Sequence, residues 1–445
     1  MRKSKSVAIL AEMGTGKTLI SIGIAGYLYL QNHIKKLLIV APLSITRVWE
    51  EEFDKFADFD YQLKVLEGST AEKSEQLRNL FGNKLQVAVV NCESCWRMEK
   101  EIATWQPDMI ICDESSKIKN AQAKQSKALH RLGKISKHNL ILTGTPVTNN
   151  PLDFFSQYKF LDESIFGGSY YAFRSRYAIM GGYGHYQVVG YKNLPELTEK
   201  AHSIAFRITK KEALDLPEQI DTKRYVELES IGRTIYDQVE KESYAELEHG
   251  EIVTTNVLTK LLRLSQITGG FIKDEFNELA EQVSSAKLEA LEEIVEECID
   301  AGKKLVVFAR FIPEIDAIAK MLKRYGIKYS MIRGDVKDRA GEVDKFQNDP
   351  ETKVFIGQLQ TTGMGLTLTA ADTAVFYSLS YNYADYEQAK ARIHRIGQKN
   401  NCTYIHLLAK KTIDEKVMDA LSKKKNLAEL VVDNWKSLFN EESKV

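Results

Sequence analysis

The chain has 445 residues, with 61 basic and 61 acidic side chains and 44% hydrophobic residues. That length accommodates two or three domains, each with its own core, and the composition is ordinary for a globular protein. A formal net charge of zero excludes a whole-molecule field as the means of holding nucleic acid, so such a partner must meet local basic patches.

The five cysteines are scattered, and Cys92 and Cys95 in VVNCESCW form the only close pair. A zinc site needs a second ligand pair at matching spacing, and the sequence has none, so the pair reads as reduced thiols at a strand end. The N-terminal MRKSKSVAIL is basic, but its apolar run is too short for a signal peptide. No stretch reaches the length of a membrane span. The expectation is a cytoplasmic protein without a membrane partner.

In chain order, β-branched-rich runs predict strands at 7–10, 36–42, 86–91, 109–114 and 139–146. Each is apolar at consecutive positions, as in strands covered on both faces. Helical stretches intervene, among them TLISIGIAGYLYLQ from Thr18 and SITRVWEEEFDKF from Ser44. Alternating strand and helix predicts a parallel, doubly wound sheet. The pattern returns with strands at 304–310, 353–358, 373–380 and 402–409, which predicts a second α/β lobe. The stretch between is Gly- and Tyr-rich at 160–200 and reads mostly as charged helix at 226–300. The expected organisation is a first lobe at 1–160, a Tyr-rich and helical insertion at 161–285, and a second lobe at 286–445.

Three motifs carry chemistry. AILAEMGTGKTLIS, at 8–21, runs strand, Gly-rich turn, Lys-Thr, helix. Gly14 and Gly16, with Thr15 between them, allow backbone N–H groups to turn inward around a phosphate at the positive end of a helix. Lys17 would then reach the terminal phosphates, and the Thr18 hydroxyl would ligate Mg2+. Ala11 stands where the strict pattern has its first Gly. In MIICDESSKIKN, at 109–120, Asp113 and Glu114 end a buried strand, where open α/β sheets place ligands. Asp113 suits a magnesium partner, and Glu114 a group that orients or deprotonates the attacking water. In EQAKARIHRIGQ, at 387–398, Arg392 and Arg395 are three apart and share a face if the segment is helical. Such a pair is either a solvated basic face or a means of neutralising a γ-phosphate.

These motifs, in this order, resemble those of the superfamily 2 helicase-type motors, and in particular the Swi/Snf-type DNA translocases. LILTGTPVTNNPLDFF (140–155), RIHRIGQKN (392–400), TGMGLTLTAAD (362–372), FRITKKEALDLPEQ (206–219) and LLRLSQITGG (261–270) carry the resemblance, which spans about residues 7 to 430. It implies two RecA-like parallel-sheet lobes with a helical insertion, ATP and Mg2+ in the cleft between the lobes, and hydrolysis coupled to movement along double-stranded DNA. Residue by residue, it implies phosphate and magnesium binding at Gly14, Thr15, Gly16, Lys17 and Thr18, and hydrolysis by Asp113 and Glu114. Thr143, Gly144 and Thr145 would link the ATP state to DNA grip. Gln388, Arg392 and Arg395 would sense and neutralise the γ-phosphate, and Gly365 would lie near the nucleotide. Pro42, Ser44, Arg47, Gly363 and Thr367 would lie on DNA.

The departures are specific. Only six residues precede the first strand, so the expectation is that the family's upstream glutamine segment has no counterpart in this sequence and that adenine preference and tight ATP binding would rest on other residues. Thr361 and Thr362 replace the usual small residues before Gly363, and Thr367 replaces a usual Asn. The acidic box reads Asp-Glu-Ser-Ser, with Ser116 where relatives carry a histidine that couples the box to the rest of the site. The compact size resembles prokaryotic or phage members. Strand-separating helicase, motor on single-stranded DNA, and nucleic-acid scaffold with an impaired ATP site stand as the alternative functions. Tyr170, Tyr171, Tyr177, Tyr183, Tyr186 and Tyr191, with Arg174 and Arg176, present either a base-stacking surface or rings packed on the first lobe.

Overall fold

The computed structural model describes residues 5–182, 184, 187–248, 254–273, 280–336, 338–361 and 366–428. They form two compact units, one running to Leu214 and rejoined from Lys424, the other Asp215–Lys423.

The first unit is built on strands β1 (Ser6–Ala11), β2 (Lys36–Ala41), β3 (Tyr61–Val65), β4 (Leu85–Asn91), β5 (Met109–Asp113) and β6 (His138–Thr143). A hairpin of β7 (Ala178–Gly181) and β8 (Gln187–Tyr191) precedes β9 (Ala205–Ile208). The main sheet runs β3-β4-β2-β5-β6-β1-β9, and every pairing in it is parallel. Helices cover both faces, which explains why the strands are apolar at successive positions. Ala8 and Leu10 of β1 enter one core cluster, while Ile9 and Ala11 enter the other. Likewise Ile110 and Cys112 of β5 face one side, Met109 and Ile111 the opposite side. Cys92, Cys95 and Cys112 are buried free thiols, and burial raises the pKa of Cys92 to about 12.

The second unit adds β10 (Gln219–Val226), a short antiparallel pair β11 (Phe271–Lys273) and β12 (Ala280–Gln282), then β13 (Leu305–Ala309), β14 (Lys328–Ile332), β15 (Thr352–Gln358), β16 (Thr373–Phe376) and β17 (Cys402–Ala409). Its sheet is ordered β10-β17-β16-β13-β15-β14 and is parallel throughout. The fold is therefore two parallel-sheet α/β lobes. The stretch 161–285 is divided between the two units at Leu214, and each part adds a strand, β9 or β10, to a sheet.

The Tyr-rich stretch divides as well. Tyr177 is 3% exposed and packs among Phe166 and Phe173, while Tyr170 meets Phe155 at 5.4 Å between ring centroids. Arg176 is bonded to Glu196 at 2.6 Å. Packing thus occupies these residues. Tyr171 is exposed with the Arg174 guanidinium 5.7 Å from its ring, and Tyr191 is half-buried against the core. Tyr183 and Tyr186 lie outside the described residues. Among the described residues no helix is long and apolar enough to cross a membrane.

One buried carboxyl makes the second unit sensitive to pH. Glu314, in the first turn of the helix Ile312–Arg324, accepts bonds on Oε2 from Arg310 N (3.0 Å), Phe311 N (3.0 Å) and Ser378 Oγ (2.6 Å). Burial nevertheless raises its pKa from 4.5 to about 7. Between those values the folded unit keeps a proton that the unfolded chain has released, so stability falls as pH climbs from about 4.5 to about 7. Urea unfolding at about pH 5 and about pH 8 should show a Glu314 contribution of roughly 3 kcal/mol, which Glu314→Gln removes. An unchanged pH slope in the variant would contradict this reading of Glu314.

Candidate functional site

The phosphate loop follows β1 directly. Gly14 and Gly16 both have φ of 84°, a conformation that side chains resist, and a Cβ at Gly16 would meet nothing within 4 Å. The helix Lys17–Leu30 begins at Gly16 without a side-chain cap, so no side chain covers the positive end of the helix there. Thr15 closes the loop by donating its hydroxyl to Glu12 O at 2.7 Å. Lys17 Nζ arches back and donates to Ala11 O at 2.9 Å and Glu12 O at 3.1 Å. Thr18, half-buried, occupies the same first turn.

A brace that the motif did not announce holds this loop. Arg207, at the end of β9, donates to Leu10 O at 2.9 Å and pairs with Glu12 at 3.3 Å, while Glu12 accepts Lys210 N at 2.8 Å. The segment FRITKK therefore acts as a support for the phosphate loop.

The carboxylate pair ends β5, whose neighbours are β2 and β6. Asp113 is 7% exposed; Oδ2 accepts Trp49 Nε1 at 3.1 Å and Oδ1 accepts Glu114 N at 2.9 Å. Burial and the adjacent Glu114 charge raise its pKa to about 7, and Lys17 opposes them. Glu114 has φ of 49°, a left-handed backbone that a non-glycine residue adopts at a cost and that often marks functional sites. Its Oε2 is buried without a hydrogen-bond partner among the described residues. Ser116 is buried one turn further on.

Trp49 was legible only as part of a helix, yet it orients Asp113. Trp49→Phe keeps a buried ring beside Phe53 but removes the donor. We expect a loss of roughly tenfold in magnesium dependence or turnover, read by titrating Mg2+ against ATP hydrolysis, with the fold intact. Wild-type magnesium dependence in the variant would leave Trp49 a packing residue alone.

Thr143 ends β6, and Gly144 and Thr145 follow it. Thr145 N donates to Thr143 Oγ1 at 3.1 Å, and Thr145 Oγ1 is buried without a partner among the described residues. A Cβ on Gly144 would stand 3.3 Å from Met13 N and 3.4 Å from Ala11 O, so this loop packs on the phosphate loop. Pro42 is buried at the head of a short turn, Leu43–Ile45, that exposes Ser44. Arg47 is exposed and holds Glu67 through two bonds, 2.8 and 3.0 Å.

In the second unit, Gln388 is buried on the helix Tyr383–Lys390. That helix ends before the arginines, so Arg392 and Arg395 lie in turns and not on a shared helical face. They converge by another route: Arg392 Nη1 and Arg395 Nη1 both donate to Leu366 O, at 3.2 and 3.0 Å. Gln398 fixes the same turn by donating to Ala371 O (2.8 Å) and accepting Lys399 N (2.9 Å) and Asn400 N (3.0 Å). Thr367 is half-buried beside Leu366, while Gly363 and Gly365 lie outside the described residues.

A phosphate loop supported from β9, with buried Asp113 and half-buried Glu114 at the end of a parallel strand, is the arrangement of a P-loop nucleotide-binding protein. The model of the SNF2-related domain matches residues 2–269, and that of the helicase conserved C-terminal domain matches 286–397. The chain belongs to the SNF2-related family. It is 30% identical to an uncharacterized ATP-dependent helicase of Mycoplasma pneumoniae, over 99% of this chain and 42% of that protein. It is 28% identical to a putative ATP-dependent helicase/translocase of Bacillus subtilis, over 98% of this chain and 48% of the relative. The chain thus spans less than half the length of these relatives. A solved SWI2/SNF2 ATPase core of Sulfolobus solfataricus in complex with dsDNA is similar at 26% identity, over 98% of this chain and 90% of that one, with a TM-score of 0.44.

Proposed function

We propose that this protein hydrolyses ATP and uses the energy to move along double-stranded DNA without separating its strands. The observation that carries the hydrolytic part of the reading is the trio of Lys17 after β1 and Asp113 and Glu114 at the end of β5, and the match to the SNF2-related domain model supports the DNA-motor part. In this reading the first-turn amides and Lys17 hold the ATP phosphates. The donor set fits magnesium, which takes hard oxygen ligands: the Asp113 carboxylate is held in place by Trp49 Nε1 and Glu114 N, and the Thr18 hydroxyl lies in the first turn of the helix behind the phosphate loop. Thr18 and Asp113 would hold the ion, which neutralises charge on the phosphate oxygens. Glu114, whose Oε2 is buried without a partner among the described residues, orients the attacking water and takes its proton. Arg392 and Arg395 supply positive charge to the transferring phosphate, and Arg47 and Ser44 rest on the DNA backbone.

Displacement of a third strand from a triplex, run beside unwinding of a forked duplex, tests the reading. ATP-dependent triplex displacement without unwinding is expected. Efficient unwinding with no triplex displacement would replace the duplex translocase with a strand-separating helicase.

A further inference from the structure

The two serines of the acidic box are not equivalent. Ser115 is fully buried, and its hydroxyl donates to Gln157 Oε1 at 2.7 Å. The amide of Gln157, also fully buried, donates at its other end to Pro146 O at 2.8 Å and Asp153 O at 2.9 Å. One planar group therefore joins the box to the last residue of TGTP. Asp153 extends the link, because its Oδ2 accepts Thr148 N, Thr148 Oγ1 and Asn149 N at 2.8–2.9 Å. The loop at the far end touches the phosphate loop through Gly144.

Packing alone does not call for an amide at this position. Gln157 sits on the helix Phe154–Leu161 beside fully buried Phe154, Tyr158 and Phe160, where an apolar side chain of similar size would fill the space. A buried polar group is tolerated when all its bonds are made, and then it fixes one arrangement of the parts it joins. Hydrogen bonds lose strength steeply with distance and angle, so a shift of Ser115 must either break the bond or draw Gln157 and Pro146 with it.

We propose that Gln157, acting through Ser115, is the positioning residue that transmits the state of the acidic box to the TGTP loop and so sets the response of hydrolysis to duplex DNA. This rests on the ATP-driven duplex reading above. It moves the coupling role from position 116, where the sequence departs from relatives, to a pair formed by Ser115 and a residue forty-two positions away.

The test compares wild type, Ser115→Ala, Gln157→Leu and the double variant, using ATP turnover with and without a saturating duplex, KM for ATP, and melting temperature. Both single variants should keep basal turnover and KM within about twofold, while duplex stimulation falls about tenfold. Melting should drop by a few degrees in the single variants, which strand a buried polar partner, and partly recover in the double variant, which removes both members of the Ser115–Gln157 bond. Stimulation should stay lost in the double variant, because Pro146 O still lacks its donor. Stimulation that recovers with the melting temperature, or that Gln157→Leu leaves unchanged, would overturn the relay alone. A wild type that duplex DNA does not stimulate would overturn the duplex reading and the relay together.

Discussion

Glu114→Gln should lower ATP turnover by about a hundredfold to ten-thousandfold while leaving ATP binding in place, as expected when a positioned general base is removed. The substitution keeps side-chain size, and because Oε2 has no hydrogen-bond partner among the described residues, the new amide breaks no recorded bond at that atom. Lys17→Ala should abolish turnover as well, but by a different route. It removes the ammonium that bonds Ala11 O and Glu12 O, so the phosphate loop loses an internal tie. It also removes the positive charge that opposes the rise in the Asp113 pKa, which already stands at about 7. Asp113 should then hold its proton above neutral pH and bind magnesium poorly. Phosphate release measured on wild type and both variants decides the matter, with fluorescent nucleotide binding separating the two routes. Equal release from all three proteins would end the enzyme reading.

Arg392→Ala should lower turnover by about a thousandfold or more if its guanidinium meets the transferring phosphate. The structure makes this a demanding test, since the same side chain is 8% exposed and bonded to Leu366 O. Truncation therefore leaves a cavity and removes one of the two arginine bonds to Leu366 O. Arg392→Lys resolves the ambiguity, because it keeps a positive charge and most of the packing but lacks the planar fork. A catalytic arginine predicts a large turnover loss in both variants at nearly unchanged ATP affinity, with melting altered mainly in Arg392→Ala. Turnover within about twofold of wild type in Arg392→Lys would reduce the pair to a clamp on Leu366. Arg395→Ala, which removes the second bond to the same carbonyl, serves as the partner comparison.

What could be read from the sequence follows physical lines. The central strands were legible because burial on both faces makes them apolar at successive positions, as at 37–41 of β2 and 109–112 of β5. The strands it missed are at or near sheet edges. β3 and β14 are half-exposed and mix polar with apolar residues, and β10 carries QIDTKRYV, largely exposed. β9 was hidden because AFRI is short, and its identity as a strand comes from pairing with β1. In the site, residues that work through spacing along the chain were visible: the phosphate loop, the acidic pair and the arginines. Residues that work through contacts distant in sequence were not, and Trp49 on Asp113, Arg207 on Glu12 and Gln157 on Ser115 are all of this kind. The arginines show the limit from the opposite side. Their spacing suggested a shared helical face, whereas the helix ends at Lys390 and a common carbonyl acceptor brings them together.

Steady-state ATP hydrolysis against a panel of duplex DNA, single-stranded DNA and RNA tests the central claim most directly. The account predicts magnesium-dependent turnover that rises several-fold or more with duplex DNA and responds much less to the single-stranded nucleic acids. Turnover indifferent to duplex DNA, or stimulated as strongly by single strands, would contradict it.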